Sequence, residues 1–342
     1  MQQDVIGSGS GSGAVATRTN DDALSSYVGR LVRAREFGIF CGALALFVLL
    51  SILTPQFATP ENLFNVVRQI SLLGIIAVGM TFVFISGELD LSVGSMYGFL
   101  AVVMAQLTIN GGVDPFLAAL TVIAMGAGLG LVNGTITTRF AIPSFIVTLG
   151  MLAVLRGAAL LTSGGLPVSG LEAPTYRLVT SSYLFGLVPA QAVWLILIVV
   201  AGAWLLRRTR FGYDVYATGG NPTAARHVGI NVARTKTMCF VITGALVGLA
   251  SAILIGWLRG TSPLTGEAFE LDVIAAVIIG GTNLFGGSGS VTGTFLGAAI
   301  IGMLSNGLVL LGVSAYWEPV VKGAVIIIAV LVSVTVRRRQ KV

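Results

Sequence analysis

Charge is scarce in this sequence of 342 residues: Asp, Glu, Lys and Arg together make up 10% of it. A soluble domain carries roughly 25%. With 55% of the residues hydrophobic, too few charges remain to coat the two soluble domains that the length would allow. Lipid must cover much of the exterior. Histidine occurs once, as His227, and cysteine twice, as Cys41 and Cys239. No zinc-ligand spacing or disulfide framework can be built from these, and no metal site is expected. Both cysteines fall in apolar runs, where a buried free thiol packs as a small hydrophobe. The Gly-x-x-x-x-Gly-Lys-Ser/Thr phosphate loop is missing. Gly126-Ala127-Gly128-Leu129-Gly130 does not replace it, because it sits inside an apolar run and follows no strand. No catalytic constellation is found, and the chain is expected to bind no cofactor itself.

The net charge is +6, yet nucleic-acid binding is not expected, because that needs a contiguous basic footprint. The basic residues cluster instead in short polar segments between apolar runs: Arg30, Arg33 and Arg35; Arg207, Arg208 and Arg210; Arg337, Arg338, Arg339 and Lys341. A helix needs about 20 apolar residues to cross ~30 Å of hydrocarbon. About ten such runs are present, near 38–54, 68–86, 92–110, 116–137, 144–163, 190–206, 236–257, 271–285, 291–312 and 318–336. The eighth is short and ends in glycine, which fits a half-span or re-entrant segment. The prediction is an all-α integral membrane protein, one bundle of about ten transmembrane helices over 38–336. A flexible polar leader (1–37, with a Gly-Ser run at 7–13) precedes it and a basic tail (337–342) follows. With an even number of crossings both termini share a side. Arg139, Arg226, Arg234 and Lys236 fall on that same side, whereas Asp114, Glu172 and Glu267 fall opposite. The positive-inside rule then gives N-in, C-in.

Glycine is plentiful, at 45 residues. Gly126, Gly130 and Gly134, the pair Gly244 and Gly248, and the pair Gly293 and Gly297 each recur at intervals of four. That spacing makes a smooth helix face for close packing, with a gating hinge as the alternative. There is also an internal echo: Gly87-Glu88-Leu89-Asp90-Leu91-Ser92-Val93-Gly94-Ser95 matches Gly280-Gly281-Thr282-Asn283-Leu284-Phe285-Gly286-Gly287-Ser288 at Gly, Asp/Asn, Leu, Gly and Ser.

Several polar residues lie within or beside the spans, where ionisable groups are costly and mark a pathway by default. Asp90 and Ser92 either meet a solute or cap the helix that follows. Arg156 either meets a solute or pairs and snorkels. Asn133, Ser144, Thr148 and Asn306 are candidates for lining a pathway, on their polarity alone. Lys322, four residues after Glu318, suggests an i,i+4 ion pair. In the outer loops, Glu172, Tyr176, Tyr183, Glu267 and Glu270 offer a docking surface, or in the case of the tyrosines interfacial anchors.

The longest polar connection contains Gly219-Gly-Asn-Pro-Thr-Ala-Ala-Arg-His-Val-Gly-Ile230. Asn221 is a good N-cap, Pro222 suits the first helical position, and Gly229 can end the helix left-handed. A short helix is predicted, with too little apolar face to form for its own burial. It is either a solvated connector or a docking element. It resembles the coupling loop of ABC importer permeases, and the resemblance extends over roughly 38–336. IIAVGMTFVFISGELDLSVGS (75–95), NGTI with IPSFIVTLGMLAVLRG (133–157), ATGGNPTAARHVGI (217–230) and IIGGTNLFGGSGSVTGTFLGA (278–298) are similar, in order, to permeases of the ribose/xylose type.

That resemblance implies a multi-pass subunit of the bacterial cytoplasmic membrane that imports a monosaccharide or polyol without bond chemistry. It would work with an ABC ATPase that carries the ATP and Mg, with a periplasmic or lipid-anchored substrate-binding protein, and with a second permease copy. Asn221, Ala224, Ala225, Arg226 and Gly229 would contact the ATPase. Two departures from the family pattern bear on the substrate: Glu88-Leu89-Asp90 adds a carboxylate, and Asn283 and Ser288 replace a usual serine and arginine. A branched-chain amino-acid permease and an ion-coupled carrier using Glu88 and Asp90 are the alternative functions.

Overall fold

The computed structural model describes residues 35–314 and 316–339. The leader expected over 1–37, apart from residues 35–37, and the last three residues of the basic tail lie outside them. The regular secondary structure of the described residues is helical, apart from two short antiparallel β pairs. Its helices are α1 (Arg35–Leu53), α2 (Pro60–Ile85), α3 (Val93–Ala105, prolonged by a π-helical turn, Gln106–Asn110), α4 (Pro115–Arg139) and α5 (Ser144–Ser163). They continue as α6 (Pro174–Thr180), α7 (Ala190–Arg208), α8 (Arg210–Gly220), α9 (Pro222–His227), α10 (Val232–Leu258), α11 (Phe269–Ile279), α12 (Val291–Leu310) and α13 (Trp317–Arg339). Among the described residues, eight helices are long and apolar enough to cross a membrane: α1 to α5 (α3 with its π turn), α7, α10 and α12.

Eight of the ten expected crossings thus have a counterpart, and the eighth and tenth are not among those eight helices. The eighth, expected over 271–285, is the 11-residue α11. At 1.5 Å per residue it is ~17 Å long, about half the hydrocarbon thickness. The segment before it, 259–268, is a short strand followed by turns. The tenth corresponds in position to α13, a continuous helix of 23 residues. The second helix begins at Pro60, eight residues earlier than expected, because Pro at its first position favours a helix start.

The interior is apolar, and so is much of the exterior. In α2 every residue from Ile70 through Ile85 is buried, and α10, α12, α7 and α11 surround it. The outer helices turn large apolar side chains outward, among them Ile52, Leu120, Phe145, Val154 and Leu161. An exterior of that kind is stable only against lipid. Cys239 is buried as expected, but Cys41 is exposed on the outer face of α1.

The glycine ladders are packing surfaces. The α4 ladder faces α10: a methyl at Gly126 would strike the Gly244 carbonyl, and one at Gly130 would strike the Phe240 carbonyl. On α12, methyls at Gly293 and Gly297 would strike the Gly280 and Ala276 carbonyls. Close backbone approach of this kind supplies dispersion contact that lipid tails do not outcompete. Gly244→Ala should therefore cost about 1–3 kcal/mol by overpacking. Gly128→Ala, exposed with nothing near its added methyl, should be neutral. Thermal midpoints of the two purified variants in one detergent decide this; equal midpoints would refute the packing role.

Candidate functional site

The non-helical connection between α2 and α3 is the most densely bonded polar feature of the bundle. Gly87, at φ 83°, turns the chain out of α2. The amides of Leu89 and Leu91 then have no helical partner. They donate to Ser144 Oγ (3.1 Å) and Thr148 Oγ1 (3.0 Å), one turn apart on α5. Between them Asp90 is fully buried. Its Oδ1 accepts from the Ser92 amide (2.9 Å) and from Ser92 Oγ (2.6 Å). Ser92 Oγ in turn accepts from Asn133 Nδ2 on α4 (3.0 Å). Ser92 caps no amide of α3 with its side chain. Of the pathway candidates named from the sequence, Asp90, Ser92, Asn133, Ser144 and Thr148 thus form one cluster. Asp90 Oδ2 and Asn133 Oδ1 are buried there without a protein partner.

Arg156 and Asn306 lie apart from it. Arg156 Nη1 donates to the carbonyls of Pro263 (3.0 Å) and Thr265 (3.1 Å), and so holds the turns before α11. Asn306 on α12 exchanges two hydrogen bonds of 2.9 Å with Asn62 on α2. Lys322 pairs with Glu318 (2.8 Å), and also reaches Asp272 on α11 (2.7 Å). Tyr176 is no surface residue: it is buried and donates to the Ala252 carbonyl (2.9 Å).

At the end of the bundle that carries α8 and α9, Glu88 forms an ion pair with Lys236 of α10, and both side chains are largely buried. Beside this pair lies a cleft of about 270 Å³, bounded by Thr137, Thr138, Pro143, Val232 and Arg226 of α9. Helix α9 is built as its residues predict. Asn221 Oδ1 accepts from the amides of Thr223 (3.1 Å) and Ala224 (3.0 Å), and Gly229 turns left-handed at φ 86°. Ala225 is buried, whereas Asn221, Ala224 and Arg226 are exposed. Helix α8, which lies in the stretch expected to be a polar connection, leads into it. A signal for it exists in the sequence: Thr209 as N-cap, then Phe211, Val215 and Thr218 on one face. Thr209 Oγ1 accepts from the Gly212 amide (3.2 Å), Phe211 stacks on Phe82, and Tyr216 donates to the Gly289 carbonyl (2.8 Å). Burial raises the Tyr216 phenol pKa, which keeps it a donor.

Helix α8 ends in a three-way glycine junction. Gly219 sits against the Ile85 carbonyl and the Gly287 amide, with no room for a side chain. The Gly287 amide itself donates to the Ile85 carbonyl (2.9 Å), and Gly286 rests on Gly87. The two echoing loops, 87–95 and 280–288, thus meet each other and the root of α9 at one point. Glu36 is a further residue that sequence reasoning missed. It joins the starts of α1 and α12 by accepting from Ser290 (2.8 Å) and Thr292 (2.7 Å), and pairs with Arg207 at the end of α7 (3.1 Å). Among the described residues no group of three His, Cys, Asp or Glu side chains comes together to hold a metal.

Apolar helices wrapped around buried polar loops, with a charged end, define a multi-pass membrane transport protein. The chain belongs to the family described as branched-chain amino acid transport system / permease component, which matches residues 62–330. It is 43% identical over 298 residues to the ribose import permease protein of Bacillus subtilis (strain 168), covering 87% of this chain and 92% of that one. It is 40% identical over 297 residues to the ribose import permease protein of Escherichia coli (strain K12), covering 84% and 90%. It is 34% identical over 342 residues to the xylose transport system permease protein of the same strain, covering 83% and 87%. No solved structure matches. The chain is a permease component, a transport subunit.

The Glu88–Lys236 pair gives a measurable consequence. Lys236→Met leaves a largely buried carboxylate unpaired and should cost up to about 3 kcal/mol. Adding Glu88→Gln should recover most of that loss. A double-mutant cycle on thermal or denaturant unfolding reads the coupling; additive losses would mean the two groups do not interact.

Proposed function

We propose that this chain is the translocation subunit of an ATP-driven ABC importer for an uncharged polyhydroxylated solute, a monosaccharide or related polyol. A binding protein delivers the solute at one end, and an ABC ATPase carrying ATP and Mg engages α9 at the other. The second permease half is another copy of this chain. The observation that carries this reading is α9 itself: a capped helix of 6 residues with an exposed Ala224 and Arg226, rooted through Gly219 on the two loops that enter the bundle. A helix so short has no stability of its own, so its rigid anchorage suits a part that receives a push.

Sidedness follows from charge. Arg139, Arg207, Arg208, Arg210, Arg226, Arg234 and Lys236 all belong to the α8–α9 end, so this end is cytoplasmic and the chain is N-in, C-in. The opposite end presents Glu172 and Glu267, both exposed, and a groove of about 410 Å³ between 108–116 and 170–176. That groove is where the binding protein docks. The names of the relatives favour a sugar. So does the inner polar cluster of Asp90, Ser92, Asn133, Ser144 and Thr148: hydroxyls and an amide with a single carboxylate, which suits a neutral solute better than a zwitterion. The family description keeps a branched-chain amino acid as the second reading. An ion-coupled carrier is disfavoured by the engagement of Glu88 with Lys236.

Mild-detergent purification of the tagged chain should recover an ATPase subunit, and scrambling 221–230 should lose it. Gly229→Trp should abolish uptake with membrane insertion intact, since a bulky residue is strained at its positive φ. Normal uptake by that variant would remove the coupling role from α9. Asp90→Asn keeps the acceptor oxygen for Ser92 but not the charge. A lowered uptake rate would assign the charge to the transport cycle, and an unchanged rate would leave Asp90 as a loop anchor.

A further inference from the structure

Gln191, the second residue of α7, is fully buried, yet neither its amide nitrogen nor its amide oxygen has a hydrogen-bond partner. A primary amide brings two donors and an acceptor, and leaving all of them unpaired away from water is strongly unfavourable. On α2, Arg68 Nε is likewise buried and unpartnered. Its guanidinium lies 4.8 Å from the centre of the Tyr183 ring and 5.7 Å from that of Trp257. These groups lie toward the same end of the bundle. Tyr183 pairs with Pro189 in the hairpin formed by the short strands Tyr183–Leu184 and Val188–Pro189, and Pro189 precedes Gln191 by two residues. Leu195, one turn further along α7, presses on Gly74 of α2. Gln191 is therefore about one helical turn nearer than that contact to the end where Arg68 lies. Phe64, a turn before Arg68, meets Tyr183 edge-on at 5.3 Å.

We propose that Gln191 and Arg68, flanked by Trp257 and Tyr183, form a monosaccharide-binding subsite at the end of the bundle opposite α9, where the solute enters. The proposal rests on the sugar-permease reading and names residues for it. Vicinal hydroxyls need paired donors and acceptors in one plane, which an amide and a guanidinium provide. The C–H faces of a sugar ring need flat apolar cover, which the two aromatic rings provide. The stack on Tyr183 and Trp257 also spreads the cation over π faces, and none of these four side chains is a carboxylate that could receive an ammonium group. Tyr183 is 40% exposed, so the rings reach outside while Gln191 lies closed within.

The test is a titration of the purified permease–ATPase complex with ribose and xylose, and with leucine as the contrasting probe, read by tryptophan fluorescence. The wild type should give a saturable pentose response that Trp257→Phe removes. Gln191→Leu fills similar space and deletes the unpaired amide. It should keep or raise the thermal midpoint while weakening pentose binding about tenfold, the loss of one or two hydrogen bonds. Arg68→Met should do the same. An unchanged pentose affinity in Gln191→Leu overturns the subsite. So does the absence of any pentose response in a complex that still imports pentose in vesicles, and in that case the sugar-permease reading stands. Import of leucine and of no pentose overturns both.

Discussion

A backbone amide inside hydrocarbon has no water to turn to, so every departure from helix must bring its own partners. Among the described residues, three breaks between helices of the bundle are held by side chains. The 86–92 loop gives its amides to Ser144 and Thr148. The 259–268 segment gives its carbonyls to Arg156. The 280–290 loop folds around Asn283, whose own amide reaches Ser288 (2.9 Å) while its side chain serves Gly286 and Phe285. Asn283 is a departure from the pattern of the resembling family, and the structure gives that residue a definite task. The polar residues of the spans are thus first of all partners for broken backbone. Some of them, Asp90, Asn133, Arg68 and Gln191 among these, keep a buried polar atom without a partner.

The same constraint explains the glycine. Loops can be satisfied from neighbouring helices only if those helices come close, and closeness needs faces without side chains. The α4–α10 ladder brings Asn133 toward the 86–92 loop, and the α11–α12 contact at Gly280 and Gly293 brings the 280–290 loop against α2. Fixing the loops and packing the helices are therefore one problem, and α2, buried along most of its length, is the common wall.

Much of this is legible in the sequence. The spans, the capped α9 and the echo can be read because each rests on a local rule: apolar length, an Asn-Pro start, a Gly end. Polarity alone points to Asp90, Ser92, Asn133, Ser144 and Thr148, and the structure brings those five together. What the sequence conceals is tertiary. Nothing local announces that Asn306 turns to Asn62 rather than to a pathway, or that Tyr176 points into the bundle. The eighth span reads too long because Leu284 and Phe285 extend the apolar count past Gly280 and Gly281, where α11 ends. Glu36 reads as part of a leader because its partners, Ser290 and Thr292, lie about 250 residues away.

Those long-range contacts give the molecule its mechanical logic. No loose linker separates α9 from the bundle, because Gly219 and Gly220 at its root pack closely against both entering loops. The 86–92 loop carries Asp90 and Ser92, and the 280–290 loop joins α11 to α12. Displacing the root must therefore move two elements at once, or break the bond between Gly287 and Ile85. The Glu88–Lys236 pair spans the same region and ties the first loop to α10. Packed interfaces shift between discrete arrangements and do not stretch. The junction is therefore where a short surface helix is joined to the buried polar cluster, and the cost of a side chain at Gly219 measures how tightly the two ends are linked.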